Sequence, residues 1–112
     1  MLTVIKLGGG AGIDRAAAAR DLAEFISSGG RAIVVHGCSE AADRLGDALG
    51  APARYVTSLA GVRSRYTDTA AMRVFALAAA EVNAELVQAL QHLGVCAVGL
   101  TGVDGGLLRG PR

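Results

Sequence analysis

The sequence predicts an α/β fold with a mainly parallel sheet covered on both faces by helices. Three observations carry that expectation. Short apolar runs alternate with longer stretches of three-and-four apolar spacing. Two of the runs, Ala32–His36 and Val95–Leu100, are apolar almost without interruption, as strands buried on both faces are. The 16 glycines cluster at the junctions between runs and have no collagen-like period.

The elements follow in order. Leu2–Leu7 is a β-rich run that opens into Gly8-Gly9-Gly10-Ala11-Gly12. Asp14 is placed to cap a first helix, whose apolar face is Ala17, Leu22, Phe25 and Ile26, and Gly29-Gly30 ends it. Ala32–His36 is the next strand, followed by Gly37-Cys38-Ser39, with Ser39 the expected cap of a helix running to about Leu49 and stopping at Gly50 before Pro52. The segment 54–67 reads either as two short strands around a Gly61 turn or as an irregular loop. Thr67 is the simplest cap for the longest helical pattern, Asp68–Leu93, with Met72, Phe75, Ala79, Val82, Leu86, Leu90 and Leu93 on one face. Gly94 closes it, Val95–Leu100 is a buried-type strand, and Asp104-Gly105 signals a two-residue hairpin between Leu100 and Leu107.

Composition narrows the function. A chain of 112 residues, 52% of them apolar, can bury one core and is not a disordered segment. A net charge of +1, with no basic tract and no Trp, leaves no electrostatic footprint for nucleic acid. No apolar run reaches the roughly 20 residues of a membrane span, and no secretory leader pattern opens the chain. A cytoplasmic location is expected. Cys38 and Cys96 lack metal-type spacing and read as reduced structural thiols.

Chemistry concentrates in two glycine loops and one arginine. The first loop sits between a strand and a helix, where an open parallel sheet binds its ligands. Successive glycine amides and a helix N-terminus attract anions, and Lys6 adds a full positive charge. The loop fits neither the Walker pattern nor the dinucleotide fingerprint, because Ile13 or Arg15 stands where the third glycine would be. On these residues alone, a phosphate seat and a tight strand-to-helix turn both stay open, although a lysine in so apolar a run calls for an anionic partner. The second loop, in VVHGCSE, repeats the arrangement and could hold a carboxylate on its amides. His36 reads as an anchor of that loop, since no Asp or Ser partner stands near it. Cys38, at a helix N-terminus, could have a lowered pKa but reads as a loop residue ahead of a nucleophile. Arg65, in RSRYTD, has the fork geometry that grips a carboxylate, against the plainer reading of a solvated surface arginine.

Together, VIKLGGGAGID, VVHGCSEAADRLGDALG, SRYTD and VGLTGVDGG resemble the amino acid kinase family in type and in order along the whole chain. Within the family the sequence is most similar to the branch acting on aminoadipate or glutamate carried by the small protein LysW. Acetylglutamate kinase is a close cousin.

The resemblance implies a three-layer αβα sandwich with a mainly parallel sheet, the carbamate kinase-like fold, of which residues 1–112 form the N-terminal, amino-acid-substrate lobe. The ATP-binding lobe would lie outside these residues, and the 112 residues alone would be inactive. The implied reaction is ATP-dependent phosphorylation of the side-chain carboxylate of an N-blocked acidic amino acid, in lysine or arginine biosynthesis, with Mg2+ accompanying the nucleotide. Lys6 matches the lysine that stabilises the transferring phosphoryl group. Gly8 and Gly9 match the loop along the ATP phosphates, Gly37 and Cys38 the substrate-binding amides, and Arg65 the substrate-carboxylate arginine. A LysW-type carrier and a homodimer are the implied partners. Cys38 departs from the pattern the resemblance implies, since the family usually has a second glycine there; a positive φ at that position would strain a cysteine by about 1 kcal/mol or more. Two other readings compete: acetylglutamate kinase with a free substrate, and a non-catalytic regulatory or dimerisation module.

Overall fold

The computed structural model describes residues 1–111. Strand β1 (Leu2–Leu7) leads to helix α1 (Arg15–Ser27), strand β2 (Arg31–His36) and helix α2 (Ser39–Ala48). A short hairpin of β3 (Arg54–Thr57) and β4 (Arg63–Tyr66) precedes the long helix α3 (Thr69–His92), and a 3₁₀ turn occupies Asp104–Gly106. β1 and β2 pair in parallel, with Leu2 opposite Arg31 and Leu7 opposite His36. β3 and β4 pair antiparallel around Gly61, which takes φ 78°, so of the two readings of this segment the hairpin holds.

Helix boundaries follow local chemistry. Asp14 caps α1 by accepting from the Ala17 amide at 2.9 Å. α3 is capped in the same way by Asp68, which accepts from Ala71 N at 2.9 Å, in place of the expected Thr67; a carboxylate is placed three residues before a free amide. α2 starts at Ser39 itself, with Cys38 at the cap position and no side-chain cap bond. The three α-helices end alike, each with a glycine at positive φ just past its last turn: Gly29 at 92°, Gly50 at 68° and Gly94 at 79°. The 6→1 bonds of this motif run from Gly30 to Phe25, Ala51 to Gly46 and Val95 to Leu90.

The core forms where the helices meet each other and one side of the sheet. Ala19 and Leu22 of α1 pack with Leu86 and Leu90 of α3 over Ile5, Leu7 and Val34. Cys38, Ala41 and Ala42 pack with Ala78 and Val82 in a second cluster between α2 and α3. The buried stripe of α3 is Ala78, Val82, Leu86 and Leu90, four residues apart each time, while Met72 and Leu93 at its ends are exposed.

Three expectations are corrected. The sheet is not covered on both faces among the described residues: Leu2, Val4, Ile33 and Val35 point away from the helices and are 48–66% exposed. The pleat sends alternate residues to opposite sides, so even the unbroken run in β2 is half buried and half open. Val95–Leu100 is not a strand. Val95 and Ala97 pack onto the α1–α3 cluster, but the segment has no ladder partner among the described residues. The expected Asp104-Gly105 hairpin is a 3₁₀ turn instead, because the Asp104 carboxylate accepts from Thr101 N at 2.6 Å and Thr101 Oγ1 at 3.0 Å, folding the chain locally.

Candidate functional site

Parallel pairing sends both glycine loops out of the same end of the sheet, side by side. Lys6 lies opposite Val35 and Leu7 opposite His36, and the two loops begin one residue later. They are pinned together. Gly37 N donates to Leu7 O at 3.0 Å, and Glu40 N donates to Gly9 O at 2.9 Å. Gly9 and Gly37 meet backbone to backbone: a Cβ on Gly9 would collide with Gly37 C and Cys38 N, and one on Gly37 would lie 2.9 Å from Gly9 N. Gly8 only touches the Ile13 side chain and Gly10 faces open space, so the demand for glycine falls on Gly9 and Gly37. Both loops run straight into helix N-termini, those of α1 and α2.

Among the described residues, the amides of Gly8, Gly9 and Gly10 donate to no protein acceptor. A row of free amides beside a helix N-terminus is chemically suited to phosphate oxygens. The second loop differs from the expectation in one respect. Its Gly37 amide is committed to Leu7 O, which leaves the amides of Cys38 and Ser39 as that loop's open donors.

Cys38 takes φ −145°, outside the left-handed region, so the departure from glycine carries no backbone strain. Its side chain turns into the α2–α3 cluster, 3% exposed, with Sγ 3.9 Å from Phe75 O. Burial pushes the thiol pKa up, and the nearby Arg65 charge offsets this only in part. The residue is therefore a packed thiol, not an activated one. His36 behaves as expected: Nδ1 lies 3.4 Å from Gly37 O, an anchoring contact within the loop.

Lys6 is less buried than its neighbours suggested. It shares the open side of β1 with Val4, its Nζ donates to Leu7 O at 3.3 Å, and no carboxylate pairs with it among the described residues. The desolvation argument for an anionic partner does not apply, because the pleat sends this side chain outward.

Arg65 comes to the second loop from the hairpin. Its Nη2 donates to Ser39 O at 3.2 Å and to Asp43 Oδ1 at 2.7 Å, and its side chain is 15% exposed. Tyr55, its cross-strand partner, donates its hydroxyl to the same Asp43 carboxylate at 3.0 and 3.1 Å. The Tyr55 ring lies under Arg63 at 4.0 Å and Arg65 at 5.3 Å. Asp43 and Tyr55 were not singled out in the sequence. The usable signal was the register of the hairpin, which sets Tyr55 opposite Arg65. Nothing local marks Asp43.

Thus Gly9, Gly37, Cys38 and Arg65 are gathered at one corner, where α2 begins. Lys6 sits at the same end of the sheet on its open side. A concavity of about 400 Å³ lies elsewhere, between α1 and the inner side of β1, lined by Ile5, Leu7, Leu22 and Phe25.

Residues 1–112 match the model of the amino acid kinase family over their whole length. The chain belongs to the amino acid kinase family. Among family members, it is 44% identical over 110 residues to a protein of Deinococcus radiodurans named LysW-aminoadipate kinase, covering 97% of this chain and 38% of that protein. It is 38% identical over 112 residues to the LysW-aminoadipate kinase of Thermus thermophilus, covering 99% of this chain and 42% of that protein. A LysW-aminoadipate/LysW-glutamate kinase of Saccharolobus solfataricus is 32% identical over 111 residues, with 99% and 41% covered. The chain thus spans about two-fifths of the length of these amino acid kinase relatives.

Proposed function

We propose that this chain is the amino-acid-substrate lobe of a kinase that transfers the γ-phosphoryl group of ATP to the side-chain carboxylate of aminoadipate or glutamate carried by LysW, in lysine or arginine biosynthesis. The observation that carries this reading is the corner itself: two glycine loops locked backbone to backbone, with an arginine held at the start of the second. In the completed protein the sheet would take helices on both sides, giving the three-layer sandwich, and a lobe outside residues 1–112 would bind the nucleotide. The names of the relatives favour LysW-linked substrates over free acetylglutamate.

The chemistry suits these parts. A carboxylate oxygen attacks the γ-phosphorus, the bond to the β–γ bridging oxygen breaks, and ADP leaves. Both reactants are anionic, so positioning and neutralising donors matter more than an acid or base. The free amides of Gly8 and Gly9 are the donors for phosphate oxygens, and Lys6 supplies charge to the group in flight. The Cys38 amide and the Arg65 guanidinium hold the amino-acid side, with the Ser39 amide as a further donor and Gly37 giving the close approach. Mg2+ would enter with ATP; among the described residues no three His, Cys, Asp or Glu side chains gather into a metal site. A LysW-type carrier and a second copy of the chain are the proposed partners. The proposed location is the cytoplasm, and among the described residues no helix is long and apolar enough to cross a membrane.

The test is acyl-phosphate formation by the full-length protein, trapped with hydroxylamine, from ATP with LysW-aminoadipate or with free acetylglutamate. Turnover of the LysW-linked substrate is expected, with Lys6→Ala lowering kcat by about 100-fold or more. Turnover of acetylglutamate alone would make the cousin enzyme the right reading. An unaffected Lys6→Ala protein would favour the non-catalytic module.

A further inference from the structure

The Arg65–Asp43–Tyr55 cluster lies beside the proposed substrate loop, and Asp43 and Tyr55 have no part in the proposed chemistry. Asp43 lies on α2 four residues after Ser39, about one helical turn further on and on the same face, so that face offers Arg65 both a backbone carbonyl and a carboxylate. The two bonds from Arg65 differ. The one to Asp43 is short and charge-assisted at 2.7 Å; the one to Ser39 O is 3.2 Å. Ser39 O also accepts within α2, so it loses little if Arg65 turns elsewhere. Nε and Nη1 of Arg65 have no protein acceptor among the described residues.

The Tyr55 hydroxyl bridges both oxygens of Asp43 and so fixes the plane of the carboxylate that fixes the arginine. Its ring, stacked near Arg63 and Arg65, holds the hydroxyl in place from the neighbouring strand. The result is a chain of contacts from β3 to α2 to β4 that aims one guanidinium at the start of α2. A flexible arginine would otherwise lose considerable rotamer freedom on gripping a ligand.

We propose that Asp43 is the positioning residue for Arg65, with Tyr55 as its support: the pair keeps one guanidinium proton on Asp43 and presents the remaining edge, released from Ser39 O, to the substrate carboxylate. This rests on the reading of Arg65 as the substrate-binding arginine. Asp43 touches no substrate itself and acts only through the arginine.

The experiment is steady-state kinetics on the full-length protein with LysW-aminoadipate varied at saturating ATP, for Asp43→Asn, Tyr55→Phe, Arg65→Ala and the Asp43→Asn/Arg65→Ala double variant. Asp43→Asn should raise KM by about 10-fold or more with little change in kcat, because a mis-aimed binding group weakens capture. Tyr55→Phe should move KM the same way by less. On the Arg65→Ala background, Asp43→Asn should add nothing, a coupling that a merely structural role for Asp43 would not produce. An Asp43→Asn KM that is unchanged, or lower because the carboxylate competes with substrate, overturns the inference. So do effects that multiply in the double variant. If Arg65→Ala itself leaves KM unchanged, the substrate role of Arg65 fails and this inference with it. If Arg65→Ala raises KM while Asp43→Asn does not, only the inference fails.

Discussion

The demands on single residues in this chain are set mostly by backbone proximity. Gly9 and Gly37 are required because each lies against the other's main chain, and not because either takes a positive φ. Cys38 shows the opposite case. A position where the resemblance leads to an expectation of glycine accepts a side chain here, since its φ is negative and its Sγ has a packed hole between α2 and α3. That placement has a chemical consequence. Cys38 is 3% exposed with its pKa raised by burial, whereas Cys96 is exposed. Iodoacetamide at mildly alkaline pH should label Cys96 readily and Cys38 at least about 10-fold more slowly, since the thiolate is the reacting form; mass spectrometry of digested peptides would read the ratio. Lys6 marks the limit of residue-level reading. Its identity suggested an anion site, yet the supporting argument from burial was wrong because strand parity turns it outward.

Among the elements, α3 is the one on which the others depend. Its 24 residues carry a stripe that serves both clusters: Ala78 and Val82 toward α2, Leu86 and Leu90 toward α1 and the sheet. Ion pairs repeat the arrangement at the surface, Arg44–Glu81 at 3.0 Å to α2 and Arg15–Glu85 at 3.1 Å to α1. Arg15 also approaches Glu40 at 4.0 Å, so the first turns of α1 and α2, which flank the glycine loops, share a cation. Exposed pairs of this kind contribute little each, so packing decides the stability. Leu86→Ala should therefore destabilise by about 2–5 kcal/mol, the cost of a large-to-small change in a core, read from denaturant midpoints at unchanged m-value. Most of this was legible beforehand. The spacing from Phe75 to Leu90 identified the helix and its inner face, Gly94 marked its end, and Asp14, Gly29 and Gly50 marked its neighbours' limits. The caps at Ser39 and Thr67 were misplaced by one residue, because a serine or threonine can cap but the adjoining residue's backbone decides whether it must.

Across the whole molecule, stability is uneven. The helices and the inner side of the sheet share the buried clusters. The β3–β4 hairpin has no buried residue and is tied down by polar contacts, among them Arg65–Asp43, Tyr55–Asp43 and Arg54–Asp68 at 3.0 Å. It should open locally at low cost. Hydrogen exchange should show the amides of Val56 and Ser64 exchanging well before those of Val82 and Leu86, and equal protection of the two regions would contradict this account. The arginine proposed to hold the substrate therefore rides on a hairpin whose place is set by polar contacts and not by a buried core.

What the sequence determined by itself was local and periodic: helix faces from three-and-four spacing, helix ends from glycine, loop positions from strand–glycine–helix order, and the family from four motifs in a fixed order. Only the tertiary structure decided which loops touch, which side of the sheet is open, that Val95–Leu100 has no ladder partner among the described residues, and that Asp43 and Tyr55 hold Arg65. Those facts depend on groups far apart in the chain meeting in space. One-dimensional spacing records the angle at which a side chain leaves the backbone, but not what it finds when it arrives.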